Sequence, residues 1–342
     1  MADAIVLDID GHELRVSNPA KVFFPERGET KFDLIEYYLS IGPAVMRRMG
    51  GRPTLLQRFP DGAGGKSFFQ KRVTKGAPDW LHTTTVMTPN GTPSNALVLD
   101  DLAHVAWAVH MGCLGFHPWP FRAASPAITD ELRIDLDPQP GTTFDMARVS
   151  ALLIKELLDE LGIEGFVKTT GSRGFHVYVP LQDRWGSVDV RAAAVALARE
   201  LERRRPDLVT AAWWKEERGE RIFIDYNQNA PHKTMFGAWS VRPRIGGQVS
   251  TPISWDAVET VDPDSLTIET VPRFLEAHGD PWASFDDDPQ DISTLLEWFA
   301  RDIDDGLMDA PWPPVYPKQP LEPPRVAPSR ARNRGTNRLD PG

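Results

Sequence analysis

Cysteine is almost absent from this chain of 342 residues: Cys113 stands alone, which excludes an internal disulfide and a cysteine-rich zinc site. No apolar run approaches the length of a membrane span. The start, Met1-Ala-Asp-Ala-Ile-Val-Leu-Asp8, has neither the basic opening nor the apolar centre of a signal peptide. Internal repeats are missing too. A soluble, cytosolic protein without a membrane partner is expected. At 41% apolar and 25% charged residues the composition is globular, and the length suits one large domain or two smaller ones.

A basic excess is also lacking. The 38 Lys and Arg residues against 48 Asp and Glu leave a net charge of −10, which counts against a phosphate-backbone partner. The distribution of charge alters that expectation. Residues 255–310 hold sixteen acids against Arg273 and Arg301, a local net of −14, so the remainder carries +4. An acidic C-terminal flank beside a mildly basic body is compatible with a basic groove in that body, although such asymmetry is commonly solvated surface.

Helical spacing runs from Thr30, a plausible N-cap, to Leu39, before the break at Gly50-Gly-Arg-Pro53. Further helices are predicted over 102–111, 144–161 and 188–205, and short strands over 55–59, 96–99, 166–170, 175–180 and 221–226. Strands and helices mixed around a hairpin-like element predict an α+β or mixed α/β domain, not a regular doubly wound sheet. From Pro311 on, a Pro-rich stretch and a tail bearing Arg325, Arg330, Arg332, Arg334 and Arg338 predict an extended, largely unpacked segment.

Chemistry enters with Asp135 and Asp137 in Glu131-Leu-Arg-Ile-Asp-Leu-Asp-Pro138. On a strand both carboxylates stand on one face while Ile134 and Leu136 point the other way. Two ionised carboxylates that close repel unless a cation sits between them. A third acid in a similar setting, Asp225 in Arg221-Ile-Phe-Ile-Asp-Tyr226, makes a set able to hold two magnesium or manganese ions. Alone, the Asp-x-Asp pattern is common on exposed strands.

Three further clusters surround these acids. In Thr169-Thr-Gly-Ser-Arg-Gly-Phe-His-Val-Tyr178 a turn leads into a strand; its backbone N–H groups, Ser172 and Arg173 can address a phosphate, and His176 and Tyr178 share one face. The bland alternative is a hairpin with a satisfied histidine. Ser67-Phe-Phe-Gln-Lys-Arg72, with Lys66 before it, suits base stacking beside backbone neutralisation, with at least one of Phe68 and Phe69 expected in the core. Downstream of Asp225 lie Lys233, Arg242 and Arg244; on an extended segment the two arginines share a face, a spacing suited to a triphosphate. Gly62-Ala-Gly-Gly-Lys-Ser67 imitates a P-loop but has Pro60 where the first glycine belongs, which excludes that ATPase class.

In this order the clusters resemble the archaeo-eukaryotic primase superfamily, specifically bacterial polymerase domains of the LigD and stand-alone Prim-PolC type. The resemblance covers most of residues 12–260. It rests on the motifs at 135–138, 170–178 and 223–229, supported by the runs at 17–25, 51–62, 66–72 and 115–120.

The resemblance implies a primase-polymerase fold over residues 1–310, with mixed sheets flanked by helices. An N-terminal part to about residue 120, an RRM-like catalytic palm over about 121–260 and the acidic flank would precede the tail at 311–342. Asp135, Asp137 and Asp225 look like the catalytic metal ligands for two Mn2+ or Mg2+ ions. His117, Ser172, Arg173, His176, Gln228, Lys233, Arg242, Arg244 and Arg58 resemble nucleotide contacts. Lys21 and Lys31 match positions that hold the 5′-phosphate of a gap, and Phe68, Phe69 and Lys71 match DNA contacts. Gln57 stands where some relatives have lysine, and Arg173 where lysine is common. The implied activity is a two-metal nucleotidyl transfer that extends primers and fills short gaps in DNA repair, by end joining or excision repair, with NTPs at least as readily as dNTPs. Implied partners are gapped or broken duplex DNA and NTP or dNTP, with a separate DNA ligase and Ku as candidates by the resemblance. The expected state is a monomer in a bacterial cytoplasm, associated with the nucleoid, without a ligase or phosphoesterase module of its own. A metal-dependent nuclease or phosphoesterase and a catalytically silent DNA-binding module are the rival readings.

Overall fold

A computed structural model describes residues 4–244 and 246–325. In chain order, a hairpin of β1 (Ala4–Ile9) and β2 (His12–Ser17) precedes helices α1 (Lys31–Ser40) and α2 (Gly42–Met49). Then follow β3 (Pro53–Arg58), β4 (Phe68–Gln70), β5 (Thr83–Met87), β6 (Pro93–Val98), α3 (Leu102–His110) and β7 (Cys113–Pro118). The second half holds β8 (Glu131–Pro138), α4 (Phe144–Glu160), β9 (Phe166–Thr169), β10 (Phe175–Pro180), α5 (Ser187–Arg204), β11 (Val209–Thr210), α6 (Lys215–Arg218), β12 (Ile222–Asp225) and β13 (Pro252–Ile253). Helices α7 (Thr270–His278) and α8 (Ser293–Asp304) close the series.

The mixed α+β architecture matches the expectation. Strands β3 to β7 make a five-stranded sheet around β3, which pairs β7 along one edge and β4 and β6 along the other. A six-stranded sheet in the order β11-β12-β8-β10-β9-β13 carries the acids. Its alternation divides two environments. Leu132, Ile134 and Leu136 of β8, with Phe175, Val177 and Val179 of β10, enter one core beneath α4 and α5. Glu131, Arg133, Asp135 and Asp137 stand on the other face, towards the N-terminal half. That half has its own core, from α1, α2, α3 and β7, which also takes in Trp239, Val241, Trp282 and Phe285 from far along the chain.

Local signals set the helix starts. Thr30 and Asp33 form a reciprocal capping box on α1, and Thr143 caps α4. No helix among the described residues is long and apolar enough to cross a membrane.

Two expectations are corrected. The segment from Pro311 to Arg325 is extended but packed: Trp312 and Tyr316 are buried with Ala230, Arg191 lies 4.1 Å from the Trp312 ring, and Arg325 donates to Glu322 and to the Tyr316 carbonyl. Arg330, Arg332, Arg334 and Arg338 lie outside the described residues. The acidic flank is not merely solvated surface. Asp280 pairs with Arg47, Asp286 with Arg48 and Arg122, Asp302 with Arg199 and Arg203, and Asp309 with Arg191. These four of the sixteen acids of the flank are thus fastened to arginines of the body, while the net charge of the chain stays at −10.

Candidate active site

Antiparallel pairing places Asp225 of β12 opposite Asp135 of β8, and His176 of β10 opposite Asp135 on its other side. Asp137 follows two residues along the same face. Gln228, in the turn after β12, donates its amide to Asp135 Oδ2 at 3.2 Å and to Asp225 Oδ2 at 3.0 Å. The His176 Nε2 lies 3.3 Å from Asp135 Oδ1. Asp137 receives Gln139 at 3.0 Å and has Arg218 Nη1 at 3.7 Å.

Burial pushes the Asp135 carboxyl up to about 6. Burial and the neighbouring Asp135 raise Asp225 to about 7, and the same two causes raise Asp137. Such shifts mark carboxylates brought together at a cost, as functional sites require. Among the described residues no three His, Cys, Asp or Glu side chains form a ready cage. Instead the Gln228 amide lies between two of the acids, supplying the positive dipole that a cation would replace. The donor set, hard oxygens from three carboxylates on adjacent strands, suits Mg2+ or Mn2+.

Basic groups line the approach. Gly171 has φ +67°, and a Cβ there would meet Arg242 Cγ at 2.8 Å, so glycine lets Arg242 close over the β9–β10 turn. Arg242 donates to the Thr170 carbonyl and lies 3.8 Å from the Phe236 ring; burial pushes its guanidinium down to about 10. Arg242 and Arg244 do not share an extended face, because the chain bends at Pro243 and Arg244 is exposed. In the turn itself the N–H groups of Ser172 and Gly174 are taken up by Thr170 Oγ1, so they do not project outwards as expected. Ser172 remains half-buried and Arg173 exposed.

A cleft of about 430 Å3 brings together His117, Gln228, Lys233, Phe69 and Lys71. His117 sits edge-on between Phe69 and Phe236, at 5.5 and 5.2 Å. Burial, with Arg242 and Lys168 nearby, pushes it down to about 3 and keeps it neutral. Its Nε2 is buried and unpartnered, an orphan that a ligand can satisfy. Lys233 carries the charge that opposes the rise of Asp225.

Phe68 and Phe69 are both exposed, at 47% and 55%, against the expectation that one joins the core. They line a second cleft of about 700 Å3 with Arg58, Lys71 and Arg72. Arg58 donates to the Met111 carbonyl and Gln70, and lies 5.1 Å from the Phe68 ring. Its contacts are thus with Met111, Gln70 and Phe68, and no contact joins it to the carboxylates among the described residues. Lys21 donates to the Pro60 carbonyl and Asp61. Lys31 is buried, donates to the Ser17 carbonyl at 2.6 Å, and is lowered by burial and by Lys21. The sequence reading passed over Lys168, Gln139 and Phe236. For Lys168 a signal existed: a lysine in step with Phe166, directly after two apolar residues of a short strand.

Fold and site together define a nucleotidyltransferase of the primase-polymerase class. The profile of the LigD primase-polymerase domain matches residues 30–282, and the chain belongs to that family. It is 31% identical over 307 residues, 89% of its length, to the multifunctional non-homologous end joining protein LigD of Mycolicibacterium smegmatis, and 31% identical over 287 residues to that of Pseudomonas aeruginosa. It spans about 40% of the Mycolicibacterium protein and 34% of the Pseudomonas one. The polymerase domain of Mycobacterium tuberculosis Ligase D, solved in complex with DNA, superposes with a TM-score of 0.75 at 29% identity, covering 81% of this chain and 99% of that one. Polymerase domains of this family generally need divalent metals.

Proposed function

We propose that this protein extends primers and fills short gaps in broken duplex DNA, with Asp135, Asp137 and Asp225 holding two divalent ions, manganese in preference to magnesium. The observation that supports the reading is the convergence of three carboxylates on the paired strands β8 and β12, with Gln228 joining two of them to the cleft that His117 and Lys233 line, and with the charges of Arg242 and Lys233 opposing the rise of Asp135 and Asp225. Ions held by Asp135, Asp137 and Asp225 would supply Lewis-acid polarisation of a phosphate and make a primer hydroxyl more acidic. Arg242, Arg244, Lys233, Ser172, Arg173 and His176 grip the triphosphate, and His117 offers its unpartnered nitrogen to the same ligand. Phe68 and Phe69 stack on exposed bases while Arg58 and Lys71 neutralise the backbone. NTPs are used at least as readily as dNTPs. The work is done at the nucleoid, in end joining or excision repair, together with DNA ligase activity and Ku.

Primer extension on a gapped duplex bearing a downstream 5′-phosphate, with NTPs and dNTPs in Mn2+ and Mg2+, tests the reading. Metal-dependent addition is expected; degradation without addition, or tight DNA binding without any chemistry, would overturn it.

Lys21→Ala is expected to reduce the preference for a phosphorylated over an unphosphorylated gap about tenfold, the loss of one charge-assisted contact. Lys21 is the lysine free to exchange Asp61 for a phosphate, since Lys31 is buried. Equal affinity of the native protein for both gaps, in fluorescence anisotropy, would refute the assignment.

Gln228→Leu removes the amide that competes with the cation. It is expected to destabilise the metal-free protein by about 1–3 kcal/mol and to tighten Mn2+ binding roughly fivefold to tenfold. Calorimetric titration decides; weaker binding would make Gln228 part of the metal site.

A further inference from the structure

Lysine is rarely buried whole, yet Lys168 on β9 is 0% exposed and lies two strands from Asp135, with β10 between. The register sets Lys168 opposite His176, and His176 opposite Asp135, all on the polar face of the sheet. Lys168 Nζ is 2.8 Å from His176 Nδ1 and 2.5 Å from Ser250 Oγ. Ser250 Oγ donates its own hydrogen to the Thr169 carbonyl at 2.8 Å, so it can only accept from Lys168. At the far side of the ring, His176 Nε2 is 3.3 Å from Asp135 Oδ1.

A neutral imidazole has one N–H and one bare nitrogen, and an ammonium has donors only. With the hydrogen on Nε2, every contact in the row Ser250, Lys168, His176, Asp135 pairs a donor with an acceptor. With it on Nδ1, the bare Nε2 faces a carboxylate oxygen 3.3 Å away, and a Lys168 ammonium would meet a second donor across 2.8 Å; burial and Arg242 push the Lys168 pKa well down, but as a neutral amine it still donates to both Nδ1 and Ser250 in the Nε2–H form. We infer that Lys168 is a positioning residue that locks His176 in the Nε2–H tautomer and aims that hydrogen at the reacting side of the cleft. There it serves Asp135 and, on the polymerase reading above, a phosphate oxygen of the incoming nucleotide. The lock resembles the way a buried partner on one imidazole nitrogen fixes what the other presents to a ligand.

The test uses the full chain labelled with 15N-histidine, with His176→Asn to assign the His176 signals. In the native protein the Nδ1 of His176 should resonate as a bare nitrogen and Nε2 as a protonated one; in Lys168→Met the two forms should mix. Steady-state extension should show the nucleotide KM raised about tenfold by Lys168→Met with kcat changed far less. In a His176→Asn background the same substitution should add less than about twofold, because the two residues act as one unit. A protonated Nδ1 in the native protein, or an equal KM rise in both backgrounds, overturns the inference. Should Lys168→Met not fold, Ser250→Ala removes the oxygen that anchors the lysine and must itself mix the tautomers. Absence of extension by the native protein would fail the polymerase reading alone, since the spectrum decides the tautomer independently.

Discussion

Asp135→Asn is expected to slow nucleotide addition by roughly a thousandfold or more, about 4 kcal/mol of lost transition-state stabilisation, while making the metal-free protein more stable at pH 8. The two effects have one origin. Asp135 lies opposite Asp225 and beside Asp137, and its charge is among the causes that raise both neighbours. With folded-state values of about 6 for Asp135 and about 7 for Asp225, the native protein binds protons more tightly than the unfolded chain. These two groups therefore favour the folded state most below about pH 4, and their contribution falls as the pH rises through 4 to 7. Glu131, held down at about 2, acts oppositely, its contribution being lost only as the pH falls below its ordinary range. In EDTA the margin by which Asp135→Asn is more thermally stable than the native protein should therefore widen between pH 5 and pH 8, while His117 and His176, held neutral by burial, act in the opposite direction in both proteins. Adding Mn2+ at pH 8 should stabilise the native protein and do little for the variant. Extension by the variant at a near-native rate, or a lower melting temperature than the native protein at pH 8 without metal, would refute the shared origin.

Local periodicity made much of this legible. The alternation of Ile134 and Leu136 with Asp135 and Asp137 is a two-residue pattern, and it set the acids on one face before any partner strand was known. Likewise the helix predicted over 144–161 is observed at Phe144–Glu160, and the strand over 175–180 at Phe175–Pro180. What escaped depends on partners remote in sequence. Arg47 and Asp280 meet across 233 positions, so a flank read as a charge run becomes a set of ion pairs. Arg242 and Arg244 have strand spacing, but Pro243 sits in a bend and the spacing argument fails there. Lys31 looks like any surface lysine until the Ser17 carbonyl and the Phe23 ring enclose it. Trp312 and Tyr316 were read as part of an unpacked proline-rich tail, because the Arg191 side chain and the Pro231 carbonyl that receive them lie about 80 to 120 residues earlier.

Glu131→Gln should have the largest effect on stability, about 3–5 kcal/mol, the cost of leaving buried charges without their partner. Glu131 opens β8 and is buried among three buried guanidiniums: Arg48 at 2.7 Å, Arg52 at 3.2 Å and Arg133 at 2.6 Å. Burial opposes its charge, but Arg52, Arg133 and Arg48 outweigh it and hold the carboxyl at about 2. Glutamine keeps the shape and removes the charge. Asp130, which receives Arg52 in two bonds of 2.7 and 2.8 Å, and the half-exposed Asp286 remain as partial compensation. Because Arg48 comes from α2 and Arg133 from β8, the cluster fastens the N-terminal half to the sheet that carries the acids. The same clamp sets His117, on β7, against Gln228 across one cleft, so loosening it should also weaken nucleotide binding. Urea unfolding should show the midpoint falling for Glu131→Gln, whereas Asp286→Asn, an exposed pair to the same arginine, should cost no more than about 1 kcal/mol. Similar small costs for both substitutions would mean that Asp130 and Asp286 suffice, and that Glu131 is not the centre of the clamp.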